Sequence, residues 1–313
     1  MKTLVLSMIS IAATVAAMTA CTSEGDPVDE VTKDVKVPIE LNAGIMEIVS
    51  KSVVNQGDKF DAQVIASATN GVYTTPLWEG ATDGNISVDE LGAVQFAKTQ
   101  YYPTNESTIF MKGFAPRENV TNGVVKYTIT GDKDIMISDQ IQGSKTNATS
   151  KKLEFKHLLT QLQIKVLAFD SYAAEAWGDI TAIEVVDAST AVELTLAETA
   201  AAQPLSEAVE KVIKNVPVDY NFSTALSLPD QSQSESAKNA GNVMVLPSTN
   251  KYSLLVKTTK KTDGFKVTDI TFNNTEASKA YKITLTFKST NIDMTASAGV
   301  WETVTEEGTG TVQ

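Results

Sequence analysis

Apolar and polar residues alternate with a period of two along most of this chain, the mark of strands with one buried face. The alternation is cleanest at Tyr281, Ile283, Leu285 and Phe287. It also runs through Val35, Val37, Ile39 and Leu41, where Pro38, lacking an N–H, favours a sheet edge. Further strands are predicted over 60–66, 74–78, 86–88, 108–114, 124–129, 180–186, 192–196, 243–246, 252–256 and 265–272. Asn70-Gly71, Asp83-Gly84 and Asn122-Gly123 lie at strand boundaries as turn signals. At the midpoint, residues 153–166 read LEFKHLLTQLQIKV. Leu153 and Phe155 are odd, whereas Leu162, Ile164 and Val166 are even, so the pattern predicts one strand with a β-bulge between His157 and Gln161.

Three segments depart from period two. Residues 172–177 are alanine-rich and fit one helical turn. Residues 205–216 are ambiguous: Leu205, Ala208, Val209, Val212 and Ile213 match a 3.6 period between Pro204 and Pro217, as in a short crossover helix. Residues 138–150 are polar and unpatterned, a long loop or domain linker, and 228–242 has the composition of a flexible surface loop. Regular short strands with such turns indicate a sandwich. The expected fold is all-β: two β-sandwich domains of mostly antiparallel, Greek-key-like strands with at most one or two short helices. The divisions are 35–150 and 151–313.

The N-terminus is read separately. Lys2 and the apolar run 4–17 form a signal peptide over 1–20, ahead of Cys21, the only cysteine. Met18-Thr19-Ala20-Cys21 resembles a bacterial lipobox, with Met18 where Leu is usual. Cys21 is then diacylated and starts a polar, acidic tether over 21–34. Two acyl chains suffice for stable anchoring, at about 0.8 kcal/mol per buried CH₂. A single cysteine leaves no internal disulfide. The formal charge of −12 opposes binding to nucleic acid phosphates.

Candidate chemistry is sparse. The single histidine, His157, lies inside the central strand, with no nucleophile elbow elsewhere, and reads as structural. Asp83 to Glu90 places oxygen ligands at alternate positions, as calcium requires, but Val88 stands where the calcium loop needs glycine. No metal, cofactor or catalytic residue is assigned. Trp78, Trp177, Trp301, Tyr101 and Tyr102 could stack on sugar rings, or fill the core.

The segment Phe155-Lys156-His157-Leu158-Leu159-Thr160-Gln161-Leu162 resembles a signature of the fimbrillin-like lipoproteins of Bacteroidetes. The resemblance extends, in order, through the lipobox, the 37–41 strand, Gly57-Asp58, the 110–116 run and Trp301, Gly308 and Gly310. It implies a non-enzymatic pilus subunit: a lipoprotein sent to the outer membrane surface and then assembled into a fimbrium with related pilin subunits. It further implies that a trypsin-like protease cuts behind the first strand, 35–49. By position the cut falls between Lys51 and Ser52, where the family commonly has Arg. The freed groove accepts a donor strand from the tail, 296–313, with Val300, Trp301 and Val304 as its apolar anchors. The alternative is a surface lipoprotein that does not polymerise and binds a glycan or a host protein.

Overall fold

At the centre of the chain one strand ends at His157 and another begins at Thr160, and the two belong to different sheets. The parity switch is therefore a crossover and not a bulge. Leu153 and Phe155 face one core, Leu162, Ile164 and Val166 face another, and Leu158 and Leu159 fill a third between them. A side chain that must change core needs a backbone that leaves its sheet, and the two-residue step at Leu158–Leu159 provides it.

The computed structural model describes residues 35–45, 58–78, 80–197, 205–207, 211–215, 225–247, 252–270 and 275–299. The first ten strands are β1 (Leu41–Ile45), β2 (Phe60–Ser67), β3 (Asn85–Val88), β4 (Val94–Phe96), β5 (Ile109–Ala115), β6 (Val120–Thr121), β7 (Val124–Thr128), β8 (Met136–Ser138), β9 (Ile141–Gly143) and β10 (Lys151–His157). Next come β11 (Thr160–Ala168), helix α1 (Ser171–Trp177), β12 (Ile180–Ser189), β13 (Ala191–Thr195), β14 (Leu205–Glu207) and β15 (Lys211–Asn215). The last are β16 (Lys238–Val245), β17 (Tyr252–Thr258), β18 (Phe265–Ile270), β19 (Ala280–Phe287) and β20 (Ile292–Gly299). The fold is all-β.

The first sheet runs β1-β10-β8-β5-β2-β3-β4, with β9 added beside β5. It curls until its ends meet, because Asn42 of β1 bridges Ala93, next to β4. Its inner face carries Leu41, Ala62, Val64, Ile86, Met111, Leu153 and Phe155, all buried. In the C-terminal half, β16-β11-β19-β20 and β15-β12-β17-β18 pack around Leu162, Ile164, Val185, Leu254, Ile283 and Leu285. A fourth sheet, β14-β13-β7-β6, covers the intermediate core around Phe114, Leu159, Leu194 and Met244. Most pairs are antiparallel; β1 with β10 and β11 with β19 are parallel. Residues 36–313 group as one compact unit.

Helix α1 is short because it is capped at both ends. The Asp170 carboxylate accepts the Ala173 N–H at 2.8 Å, and Gly178 closes the helix at φ 69°. Its Trp177 is buried, edge-on to Phe265 and Phe287, with Nε1 donating to the Lys288 carbonyl at 2.5 Å.

Several predicted elements differ. Within 205–216, the described residues 205–207 and 211–215 are β14 and β15 and not helical, since each finds a strand to pair with, β13 and β12 respectively. Pairing outweighs a 3.6 period that five apolar residues match by chance. Residues 74–78 are loop. The polar run 138–150 is no bare linker: β9 pairs with β5, and the Gln140 amide is held by the Tyr73 hydroxyl, the Gly71 N–H and Asn70. Within 228–242, a 3-10 turn at Gln231–Gln233 precedes β16. The first strand starts at Leu41 and not at Val35, which is exposed.

Candidate assembly site

The segment around β1 is held on both sides. On one side β1 runs parallel to β10, from Leu41 opposite Lys151 to Ile45 opposite Phe155. On the other, the Ile39 N–H donates to the Gln100 carbonyl at 2.8 Å, the Ala43 N–H to Gly92 at 2.7 Å, and the Tyr102 N–H to Val37 at 3.0 Å. Pro38 faces Tyr101 in an isolated bridge. The proline costs nothing here, because its neighbours Val37 and Ile39 carry the bonds. Ile39, Leu41 and Ala43 point inward on alternate positions, 4–6% exposed. Full burial of Ile or Leu contributes about 1.5–3 kcal/mol each.

The wall that receives this segment is built by backbone and small residues. The Gln100 side chain is buried and donates to the carbonyls of Asp83 (2.8 Å) and Lys98 (2.9 Å), which fixes the carbonyl that Ile39 needs. The Lys98 ammonium bonds the Asp83 carboxylate at 2.9 Å and, as the largest cause, holds its pKa below the usual value. Gly92 has φ +80°, and a Cβ there would lie 2.3 Å from the Ala43 carbonyl oxygen. Only glycine lets the β3–β4 turn close on β1. The Asp89 carboxylate accepts the Leu91 and Ala93 N–H groups and completes that turn. Tyr102 is buried against the same slot, and its phenol is pushed up first by burial and then by Glu40.

A second surface is the edge of β20. It pairs antiparallel with β19, from Ala280 opposite Gly299 to Phe287 opposite Ile292. Among the described residues no strand pairs with its other edge. The turn into it is tied by the Lys288 N–H to the Asn291 carbonyl (2.8 Å), by Asn291 to Asp293 (2.6 Å), and by a Lys288–Asp293 ion pair. That lysine is the main cause of a lowered pKa at Asp293. Residues 296–299 of the expected donor segment thus form part of β20 in their own sheet. Cys21, Lys51, Ser52, Val300, Trp301 and Val304 lie outside the described residues.

His157 is buried at the end of β10, its Nδ1 against the carboxylate of buried Asp134, and its carbonyl accepts the Ser278 hydroxyl at 2.7 Å. The hydroxyl contact joins β10 to the approach to β19, and the carboxylate contact joins it to the approach to β8. The Asp83 to Glu90 run is a turn and a strand, with Asp83 and Asp89 occupied as described. Among the described residues no three His, Cys, Asp or Glu side chains converge as a metal site. Trp177 and Tyr102 are core residues, whereas Tyr101 is exposed beneath the Lys36 ammonium, 5.7 Å from its ring. Sequence reasoning missed Gln100 and Gly92. The Leu91-Gly92 turn was the available signal for the second, and nothing in the pattern marked the first.

Comparison with known proteins places the chain. The fold is similar to a putative cell adhesion protein from Bacteroides uniformis, with a TM-score of 0.58 at 16% identity, covering 85% of this chain and 99% of the other. It is also similar to one from Bacteroides ovatus, with a TM-score of 0.53 at 16% identity, covering 86% and 99%. No curated protein matches the sequence. The fimbrillin-like family matches residues 49–301, most of the length of the chain, including β2 through β20. The chain belongs to the fimbrillin-like family.

Proposed function

We propose that this chain is a structural and adhesive subunit of a cell-surface pilus, exported as a lipoprotein through Cys21 and assembled with other pilin subunits by protease-triggered strand exchange. Family membership supports the pilus role. The single observation that carries the exchange step is the seat of residues 37–45: an apolar comb lying in a slot whose backbone bonds it on both sides. Emptied, the slot would expose the side chains of Leu153 and Phe155 together with backbone donors and acceptors of β10 and the 92–102 wall. An incoming strand can satisfy both.

In this reading a cut between Lys51 and Ser52 frees the first strand, 35–49, by removing the covalent tie that makes its rebinding intramolecular. The donor is the 296–313 tail of a neighbour, with Val300, Trp301 and Val304 entering the slot. Arg117, the only arginine, is engaged by the Ala62 and Ile86 carbonyls and by Asp61, so the basic residue cut is a lysine. The two domains of this reading are 35–150 and 151–313, and they share the β14-β13-β7-β6 sheet, which takes β6 and β7 from the first and β13 and β14 from the second. The subunit rests at the outer membrane until it joins the fimbrium, and it performs no catalysis.

The test compares wild type, Lys51→Ala and a chain truncated before Ala296, each treated with trypsin and viewed by electron microscopy. Rods are expected from the wild type alone. Rods from either variant would refute the placement of the exchange.

A further inference from the structure

Trp78 has an environment that pilus assembly does not use. It walls a cleft of about 180 Å³ between β2, the 76–84 loop and Val120 of β6. The loop is fastened along β2 by two backbone bonds, Leu77 N–H to the Ala66 carbonyl and Val64 N–H to the Gly84 carbonyl, each 2.8 Å. The indole is held edge-on against Phe96, ring centres 5.8 Å apart at 90°. Gly84 leaves no room for a side chain, since a Cβ there would sit 1.8 Å from the Val64 oxygen and 3.4 Å from the indole. The aromatic wall is thus positioned before any ligand arrives.

Two amides border the cleft with hydrogen-bonding capacity left over. Gln63 is 8% exposed; its Nε2 donates to the Ala81 carbonyl at 3.3 Å, and its Oε1 accepts nothing among the described residues. That oxygen is not among the buried atoms left without a partner, so solvent reaches it and a ligand hydroxyl can donate to it in place of water. Asn119 is exposed at the rim, with no side-chain hydrogen bond among the described residues. No charged side chain lines the cleft among those residues.

We propose that this cleft binds one neutral pyranose ring of a glycan. An indole can offer its face to the C–H side of a sugar, while side-chain amides take hydroxyls as acceptor and donor. The volume holds about six waters at liquid density, roughly the space of one hexose. Among the described residues no cation lines the cleft, which disfavours sugar acids, whose carboxylate would be desolvated without a partner. Pro76 adds a second apolar side. The inference stands whether or not the chain polymerises.

The test is saturation-transfer NMR and titration of the mature full-length protein with the methyl glycosides of glucose, galactose and mannose, with N-acetylglucosamine, and with N-acetylneuraminic acid as the charged comparison. At least one neutral sugar is expected to bind with a dissociation constant of order 1 mM, as befits about a dozen heavy atoms. Asn119→Ala, at an exposed position that leaves folding intact, should weaken it about 3- to 10-fold, the loss of one hydrogen bond. Trp78→Phe, which retains an aromatic ring, should weaken it further. No transfer to any neutral sugar, binding of the acid alone, or affinities unchanged in both variants would overturn the assignment.

Discussion

Replacing Gly92 by alanine should loosen the β1 seat selectively. The substitution forces an L-residue to φ +80°, at a cost of about 1–2 kcal/mol. It also drives a methyl to within 2.3 Å of the Ala43 carbonyl oxygen, so the turn must withdraw and the 2.7 Å bond from the Ala43 N–H is lost. That bond contributes about 0.5–1.5 kcal/mol. Together the seat should weaken by roughly 2–3 kcal/mol, or about 30- to 150-fold in the opening equilibrium. Native-state hydrogen exchange is the assay, because it reads the Ile39 and Ala43 amides separately from the rest. Both should exchange faster by that factor, while amides of β11 and β19 keep wild-type rates. Gly264→Ala is the control: it carries comparable strain at φ +86° beside Leu255, in the C-terminal sheets. It should leave the Ile39 and Ala43 amides unchanged. Unaltered exchange at those two amides in Gly92→Ala, or an equal rise across all sheets, would refute the claim that this turn latches the strand.

Removing either partner of the buried Asp134–His157 pair alone should cost about 3–5 kcal/mol in urea unfolding, whereas removing both should cost clearly less than the two losses added. Tyr252 is buried, with its hydroxyl donating to the Leu246 carbonyl at 2.8 Å, and burial pushes its phenol up to about 12 from an ordinary 10.0. The neutral form is the one the fold favours, so this stabilisation is complete below pH 10.0 and is lost as pH rises toward about 12; phenolate absorbance should rise together with unfolding in that window. Cys21→Ala should move the protein from the membrane pellet to the soluble fraction, and a variant that still pellets would exclude the lipid anchor.

The sequence made the all-β class legible because a strand with one dry face records that face every second residue. Tyr281, Ile283, Leu285 and Phe287 are all buried on one side of β19. Alternation is a local property, however, and cannot say which sheet a face belongs to. Residues 153–166 therefore present the pattern of one bent strand, although consecutive Leu158 and Leu159 mark the exchange of cores. The segment 205–216 misled for the opposite reason: five apolar side chains happened to suit a helix, and only distant partners decide for strands. The β1 seat was half legible. Its comb of Ile39 and Leu41 is plain in the pattern, but the receiving wall consists largely of carbonyls, from Gly92 and Gln100, and a carbonyl is common to every residue. The Trp78 cleft was legible only as an aromatic with two readings, since the amide of Gln63 comes to it from a separate strand.

The parallel register of β1 with β10 has a mechanical meaning. A pull applied at Lys36 along the strand draws residues 37–45 lengthwise through their slot. The bonds to β10, Gly92 and Gln100 then bear the load side by side, and no end bond can fail ahead of the others. The strand resists as a sheared joint and not as a peeled one. Tension applied through this segment would be shared across the first sheet and carried on through Leu158–Leu159 to β11, whose own parallel partner β19 is loaded in the same way.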